Sequence, residues 1–515
     1  MTAPSSSRPA SLLRHPDFVR FWTGQTISQF GSQVSQLAVP LVAIVFLGSS
    51  AFEVALLNTM EFLPFVFFAL PAGVWIDRLR RRPILIGADA GRAALLATIP
   101  VAYVLGVLTI WQLYVVGFAV GVLTVFFDVA YQAYLPSLVD RDRILDGNAK
   151  LAATGSIAQT AGPAIAGVLI GALTAPIAIL ANSLSFVASG IALVLIRKPE
   201  HAPTSRDGGS TAHGVERAAS RVDPVAGRTA MAAAPGAAGA TSASGSVTEA
   251  PAPSLRREIA AGIRYVWANP FLRPIAIAMG WTNFTGQVVF SLFLLYAVRE
   301  LGLTAATLGL ILGIGNVGLI LGAVSAQWVA RRLGLGRAIV VGLAVAGPAT
   351  LLIPLAPPDD PIPFLVAQGV VFGWAALVFN INQVSFRQAI TPEHLQGRMN
   401  ATMKFVATVT IPAGSILGGV LATTVGLREA LFVGAMGSVF AAVPMLLSPV
   451  WRLRGVEDVA GMPGVHVPDA AGGAGEWAGA MPAPTLGILE PTLGGAEIVP
   501  ARGEIRDDAA GTGPA

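Results

Sequence analysis

The chain has 515 residues, of which 54% are hydrophobic and only 12% are charged. Soluble domains carry about 25% charged residues, so the composition excludes an ordinary water-soluble fold. The net charge of +4 is too small to indicate a nucleic-acid partner, and the absence of cysteine excludes thiol chemistry and disulfides.

Apolar runs of about 20 residues follow one another along most of the chain, and an α-helix of that length crosses a hydrocarbon core of about 30 Å. The predicted fold class is therefore all-α integral membrane, with twelve transmembrane helices. The predicted spans lie near residues 18–48, 52–76, 83–106, 110–137, 149–172, 175–196, 271–297, 304–330, 338–356, 362–387, 401–423 and 427–449. The N-terminus lacks a signal-peptide pattern, so the first span is expected to act as the insertion signal.

Arginine is concentrated in alternate loops between the predicted spans. The Arg-rich loops contain Arg78, Arg80, Arg81, Arg82, Arg141, Arg143, Arg331, Arg332, Arg337 and Arg398. The other loops contain only Arg299 and Arg428. Because Lys and Arg are retained on the cytoplasmic side, this asymmetry predicts that both termini are cytoplasmic.

The second half of the chain repeats the first. GFAVGVLTVFFD (Gly117 to Asp128) aligns with GVVFGWAALVFN (Gly369 to Asn380), and QFGSQV from Gln29 aligns with NFTGQV from Asn283. Both copies start from the same side, which predicts two parallel-repeat six-helix bundles.

The predicted organisation follows from this repeat and from the Ala-, Gly-, Ser- and Pro-rich segments, which cannot bury a core. It consists of a cytoplasmic N-terminus (1–15), an N-terminal bundle (16–197), a mostly disordered cytoplasmic linker (198–268), a C-terminal bundle (269–452) and a disordered cytoplasmic tail (453–515). The end of the linker predicts a short amphipathic helix at the membrane interface.

The loop between the second and third spans reads GVWIDRLRRR. Together with the two six-helix halves it resembles the major facilitator superfamily, closest to bacterial exporters of the enterobactin-exporter and macrolide-efflux type. The family's signature loop is matched by Gly73, Asp77, Arg78, Arg81 and Arg82, with Arg80 in place of its second Gly. The resemblance implies that these residues and Asp128, at the inner end of the fourth span, form a conformational latch. A plain positive-inside loop is the alternative.

A second resemblance is GPAIAG in the fifth span, which is similar to a Gly- and Pro-containing motif of exporters, with Ala166 in place of one Gly. The expected helix-packing residues here and in the aligned part of the eleventh span are Gly162, Pro163, Gly167, Gly414, Gly418 and Gly419. Ordinary packing of small residues explains the stretch equally well.

Polar residues recur on one face of the first span and partly on the seventh, and such stripes do not face lipid. In the superfamily, spans one, four, seven and ten flank the central cavity. The resulting substrate-cavity candidates are Gln25, Gln29, Ser32, Gln36, Gln132, Asn283, Gln287, Asn380 and Gln383. Interhelical hydrogen bonding alone is the alternative. No Arg is evident at mid-membrane beside these uncharged walls, which favours a moderately hydrophobic substrate.

The energy source is expected to be an ion gradient, because no Walker-type phosphate loop is present and Lys occurs only at positions 150, 198 and 404. The intramembrane acids are Glu61, Asp89 and Asp128, and Asp89 is expected to pair with Arg92 near the inner surface. Glu61 lies roughly 10 Å inside the outer boundary and is the predicted proton-coupling residue, with Asp128 the second candidate.

These features predict a secondary transporter of the bacterial cytoplasmic membrane that exports small, moderately hydrophobic compounds such as drugs, natural products or siderophores, in exchange for protons, by alternating access. Its expected partners are the substrate, protons and the lipid bilayer, and it is expected to act as a monomer without a cofactor or metal. An importer of the same fold and a transport-dead membrane sensor are the alternatives. An enzyme is not expected, since the spans contain no His cluster, metal spacing or nucleophile and base.

Overall fold

The computed structural model describes residues 12–76, 79–140, 143–198, 200 and 255–459. In these ranges all regular secondary structure is helical, and twelve helices are long and apolar enough to cross a membrane. Spans 1 to 12 are, in chain order, Pro16–Phe46, Ala51–Ala69, Arg81–Val104, Ile110–Leu138, Ile144–Leu173, Ala175–Val194, Leu272–Arg299, Ala305–Leu333, Leu335–Leu355, Ile362–Ala389, Leu395–Thr424 and Leu427–Leu446. The predicted fold class is therefore confirmed.

Local chemistry fixes several span ends. His15 caps span 1, because its imidazole Nδ1 accepts a hydrogen bond of 3.2 Å from the backbone N–H of Phe18. Thr109 caps span 4 in the same way, with its hydroxyl accepting from the N–H of Gln112. The helix of span 2 continues beyond the membrane-length segment to Ile76, and so reaches the loop of the predicted latch.

Span 8 is interrupted at Asn316, which separates the helices Ala305–Gly315 and Val317–Leu333. The interruption lies where span 8 meets span 10 at very short range. A Cβ atom added to Gly315 would lie 3.0 Å from the Cα of Gly369. Only glycine permits this approach of the two backbones.

The two halves, spans 1–6 and spans 7–12, have the same internal packing. Span 1 contacts spans 5 and 6, span 2 contacts span 4, and span 3 contacts spans 4 and 6. In the second half span 7 contacts spans 11 and 12, span 8 contacts span 10, and span 9 contacts spans 10 and 12. The structure therefore has the predicted parallel repeat.

The two halves share a core at one end of the bundle only. Twelve crossings bring Leu12 and Val459, the first and last residues of the described chain, to one end, here called the terminal end. At the opposite end a single buried cluster contains residues of both halves, such as Val34 and Leu292. At the terminal end each half has its own cluster, one around Phe18 and one around Phe271. The halves therefore meet at the opposite end and part toward the terminal end.

Parts of three predicted regions lie outside the described residues, namely residues 1–11 of the N-terminus, 201–254 of the linker and 460–515 of the tail. The last part of the predicted linker is the helix Leu255–Ala268, called the connecting helix. It packs on span 11, where Gly262 approaches the backbone of Arg398. Its position at the membrane interface and the exact domain boundaries stay predictions.

Candidate functional site

The gap between the halves contains polar groups from spans 4, 10 and 11. Asp128 and Gln132 of span 4 are exposed, as are Asn380 of span 10 and Lys404 of span 11. Polar side chains within membrane spans avoid lipid, so these exposed groups face the gap. Asp128 interacts electrostatically with Lys404, although the two belong to different halves. Three of these residues were predicted from the sequence, whereas Lys404 was not.

A buried ion pair lies beside this gap. Asp89 and Arg92 of span 3 are 0% and 5% exposed, and their closest charged atoms are 2.5 Å apart. The guanidinium carbon of Arg92 lies 4.1 Å from the ring centroid of Phe127 and 4.2 Å from that of Phe186, so the cation stacks on two aromatic faces. Arg92 also interacts electrostatically with Asp128. The predicted pairing of Asp89 with Arg92 is therefore present.

The position of this pair corrects one expectation. Arg92 is the twelfth of the 24 residues of span 3, so an arginine does lie at mid-membrane. It is enclosed by Asp89 and the two aromatic rings and is not open to the gap. Arg92 therefore acts on the gap through its electrostatic interaction with Asp128.

Glu61 lies on span 2 and is half-buried. Its side chain packs against span 4, because a Cβ atom on Gly117 would lie 3.3 Å from the Glu61 Cγ. Among the described residues no hydrogen bond to its carboxyl group is recorded. One turn earlier, Asn58 accepts a hydrogen bond from Gln287 of span 7. The role of Glu61 in proton coupling stays a prediction.

Part of the repeated polar segment, QFGSQV from Gln29 and NFTGQV from Asn283, packs helices together. In the first half Gln33 fills the space beside Gly162 of span 5, and in the second half Gln287 fills the space beside Gly414 of span 11. These two contacts occupy equivalent places in the repeat. Interhelical packing, the alternative interpretation of the segment, therefore accounts for part of it.

Two of the predicted cavity residues do not face the gap. Gln25 is 5% exposed and its amide donates a hydrogen bond of 3.4 Å to the Ser189 hydroxyl of span 6. Gln383 is 2% exposed within span 10. Gln25 therefore faces span 6 in this conformation, and Gln383 is buried among the helices, so neither side chain is open to the gap here.

The remaining cavity candidates are less buried. Gln29 is half-buried beside Gly155 of span 5, and Gln36 is exposed. The hydroxyl of Ser32 and the amide of Asn283 donate hydrogen bonds to carbonyls one turn earlier in their own helices. These hydrogen bonds satisfy the two donors within their own helices. The oxygen atoms of both side chains therefore remain able to accept a hydrogen bond from a substrate.

Only part of the predicted latch is described, since Asp77 and Arg78 lie outside the described residues. The backbone N–H groups of Arg81 and Arg82 donate to the Glu200 carboxylate at 2.7 and 3.0 Å, and that carboxylate caps span 3. The Arg82 guanidinium donates to carbonyls at the end of span 6. Gly73 has open space around it.

Among the described residues of the predicted latch, Arg82 therefore joins spans 3 and 6, and Asp128 interacts with Arg92 and Lys404. Sequence analysis missed Glu200. The signal available for it was an acid shortly after span 6, facing three consecutive arginines at the start of span 3.

The small residues of GPAIAG form a seam between the halves. A Cβ atom on Gly167 of span 5 would lie 2.5 Å from the carbonyl oxygen of Ala305 in span 8, and the carbonyl of Pro163 lies against Gly309. The second-half residues form two close contacts: Gly418 lies against Val288 of span 7, and Gly419 lies against span 2. Both seams lie at the opposite end, where the halves share a core.

Comparison with known proteins identifies the family. A model of the Major Facilitator Superfamily matches residues 21–376 and 276–462. The chain belongs to this superfamily. Membership makes it a multi-pass membrane transporter of the secondary type, and the prediction of a transporter rather than an enzyme is confirmed.

Relatives with assigned names are efflux proteins. The chain is 26% identical to the multidrug efflux pump Tap of Mycolicibacterium fortuitum over 436 residues, which cover 82% of the chain and 93% of that protein. It is 29% identical to macrolide efflux protein A of Streptococcus pyogenes over 185 residues, 36% of the chain and 45% of that protein. The match to the macrolide efflux protein thus spans less than half of its length.

Solved structures share the fold of this superfamily transporter. A bacterial homologue of the human lysosomal transporter Spinster has a TM-score of 0.61 at 12% identity, covering 87% of this chain and 98% of that one. The nucleoside transporter NupG has a TM-score of 0.60 at 11% identity, covering 84% and 98%. At these identities the likeness establishes the fold alone.

Proposed function

We propose that this transporter exports moderately hydrophobic small molecules, such as drugs, natural products or siderophores, from the bacterial cytoplasm in exchange for protons. Its similarity to Tap along most of both chains supports export. The uncharged amides of Gln132 and Asn380 in the gap suit a ligand of mixed polar and apolar character. We also propose that one chain forms the transport unit.

The observation that carries the proposal is the acid-containing gap that opens toward one end only. Asp128 is exposed in this gap, while the two halves share a buried core at the opposite end. A transporter that works by alternating access must close one end before it opens the other. The conformation described here would expose Asp128 and the amides to the terminal side.

We assign the terminal side to the cytoplasm. The loops at that end contain Arg80, Arg81, Arg82 and Arg337, and the loops at the opposite end contain Arg299 and Arg428. This distribution is the positive-inside pattern. With this assignment both termini are cytoplasmic, and the gap receives substrate from the cytoplasm.

Two carboxyl groups are candidates for the proton carrier. Glu61 has no recorded hydrogen-bond partner among the described residues and packs on span 4, so that a change in its charge would be felt at the interface of spans 2 and 4. Asp128 faces the gap and interacts with the cations of Arg92 and Lys404. The residues Asp77, Arg78, Arg81 and Arg82 would form the latch that is released when the cycle proceeds.

Efflux measurements in a pump-deficient host test the proposal. Cells are loaded with a panel of drugs, and efflux is followed with and without a proton gradient. Wild-type protein is expected to lower drug accumulation only while the gradient is present. Efflux that survives collapse of the gradient contradicts proton coupling, and uptake of the same compounds would favour the importer.

Three substitutions and one control assign the roles. Glu61→Gln and Asp128→Asn keep the side-chain shape but remove the titrating charge, and Asp359→Asn in an exposed turn is the matched control. Whichever of Glu61→Gln and Asp128→Asn removes the proton-coupling carboxyl group should lose gradient-driven efflux while retaining substrate binding. Asp77→Asn should slow turnover at normal expression, whereas wild-type rates would reduce this loop to a topology signal.

A further inference from the structure

The second half contains a basic cleft outside the transport gap. It lies at the terminal end, between the loop that joins spans 8 and 9 and the segment after span 12, and its volume is about 500 Å³. Four arginines line it: Arg331, Arg332, Arg337 and Arg454.

The backbone holds the two walls of this cleft together. The N–H of Leu335 donates to the Arg454 carbonyl and the N–H of Gly336 to the Leu453 carbonyl, both at 3.0 Å. Gly336 also lies against the carbonyl of Val450, where a Cβ atom could not fit. The cleft is therefore a fixed feature of the fold rather than a chance arrangement of long side chains.

The charge in this cleft is not neutralised by the described residues. All four arginines are exposed, and the ion pairs found among described residues all lie in the first half. The acids nearest in sequence to Arg454 are Glu457 and Asp458. The Asp458 carboxylate accepts hydrogen bonds from the N–H groups of Arg454 and Gly455, which hold its pKa below the usual range. Asp458 also attracts Arg454. Among the described residues no acid forms an ion pair with Arg331, Arg332 or Arg337.

Aromatic residues place the cleft at the depth of lipid headgroups. Trp328, one turn before Arg332 in span 8, is 57% exposed, and the Arg332 guanidinium lies 5.8 Å from its ring centroid. Exposed Trp at the end of a span is typical of the membrane–water interface. Arginine is the residue best suited to bind phosphate oxygens in a bidentate manner.

We propose that this cleft binds the phosphate group of an anionic phospholipid headgroup. A ligand with a negative phosphate at the interface would relieve the repulsion between the arginines and would remain in the bilayer while its headgroup occupies the cleft. The site lies entirely within the second half, at the end where the halves part. A bound lipid would therefore anchor that half to the membrane surface while the first half moves.

The experiment uses the purified full-length chain in nanodiscs that contain phosphatidylcholine with a minor fraction of phosphatidylglycerol. Native mass spectrometry counts the phosphatidylglycerol that stays bound after release from the disc. The cleft variant is Arg331→Gln with Arg337→Gln. The matched control is Arg264→Gln with Arg273→Gln, which removes the same charge from two exposed positions outside the cleft lining.

Wild type and control are expected to retain phosphatidylglycerol, whereas the cleft variant should lose about thirty-fold in affinity, the effect of two interfacial charges. Equal losses in both double variants, or no loss in either, would overturn the proposal. A third arm adds inorganic phosphate to discs of pure phosphatidylcholine. Phosphate is also added to the discs that contain phosphatidylglycerol. If phosphate stabilises wild type in the pure discs and displaces phosphatidylglycerol from the mixed discs, the ligand is a soluble anion and the lipid assignment is overturned.

Folding is controlled separately. Helical content and tag accessibility must match wild type, because arginine loss in this loop could alter insertion. Should the double variant fail this check, Arg454→Gln, which lies after the last span, replaces it and should weaken retention by about fivefold. Unchanged retention in that variant would contradict the site.

Discussion

The amide of Gln287 in span 7 donates a hydrogen bond to the side-chain oxygen of Asn58 in span 2 and so joins the two halves. This hydrogen bond lies where the two halves meet at the opposite end of the bundle. Close by, the hydroxyl of Ser415 in span 11 donates to the Ala55 carbonyl of span 2 at 2.7 Å. These bonds must break when the opposite end opens. They therefore contribute to the balance between the two conformations.

Asn58→Ala should shift this balance toward opening of the opposite end. An intramolecular hydrogen bond contributes about 1 kcal/mol, which corresponds to roughly a fivefold change in the ratio of the two states. Because the chain has no cysteine, spin labels can be introduced directly at Val107 and Asp359, which lie in turns at that end. The population with a long distance between the two labels should rise. An unchanged distance distribution would show that this hydrogen bond does not affect the equilibrium between the two conformations.

Gly309→Ala should also open the opposite end, for a steric reason. An added Cβ would meet the carbonyl of Pro163 and the backbone of Gly167 in the other half. The same labels should report a wider separation, and efflux should fall. Gly87→Ala is the matched control, since open space surrounds Gly87 in span 3. Equal behaviour of the two variants would show that the seam does not need glycine.

Arg92→Met should destabilise the protein because it leaves the buried Asp89 carboxylate without its cation. Removing one member of a buried pair costs about 3–5 kcal/mol. Thermal unfolding in detergent should show a large drop for this variant. The double change Asp89→Asn with Arg92→Met should recover most of the loss, because no uncompensated charge remains. A single variant as stable as wild type would mean that water reaches Asp89.

Glu300, which follows span 7, should make stability depend on pH. Partial burial and the neighbouring Glu429 carboxylate raise its pKa above the usual 4.5, against the opposing effect of Arg428. The folded state therefore holds this proton more tightly than the unfolded state. The resulting stabilisation is present below pH 4.5 and is lost as the pH rises through the raised pKa.

Glu300→Gln removes this dependence. Its melting temperature should exceed that of wild type by a margin that grows as the pH is raised from about 4 toward neutrality. The comparison is made in one detergent at constant ionic strength, because the interaction with Glu429 is screened by salt. Parallel curves for the two proteins would show that Glu300 titrates as an ordinary exposed carboxyl group.

Several features of the candidate site could be predicted from sequence because they depend on depth alone. The residues Asp128, Gln132 and Asn380 are polar groups within apolar runs, and such groups must find a polar or wet environment wherever the helix turns. Gln25 satisfied the same criterion but bonds to Ser189. The depth of a polar residue in the membrane predicts that it has a polar neighbour. The packing of the helices determines whether that neighbour is water in the gap or a side chain of another helix.

Hydropathy and repetition determined the twelve spans, the parallel halves and the Arg-rich side, since each depends only on the order of residues along the chain and on the thickness of a bilayer. Tertiary structure decided which end the halves close. It also places Lys404 within electrostatic range of Asp128. In addition, the Glu200 carboxylate caps the start of span 3, and Arg92 is enclosed between two aromatic rings. These relationships join residues far apart in sequence, and they depend on the rotation of each helix about its axis. That rotation is set by close contacts of small residues with neighbouring helices, for example Gly31 with Ser185 and Gly309 with Pro163. A one-dimensional pattern does not encode these contacts.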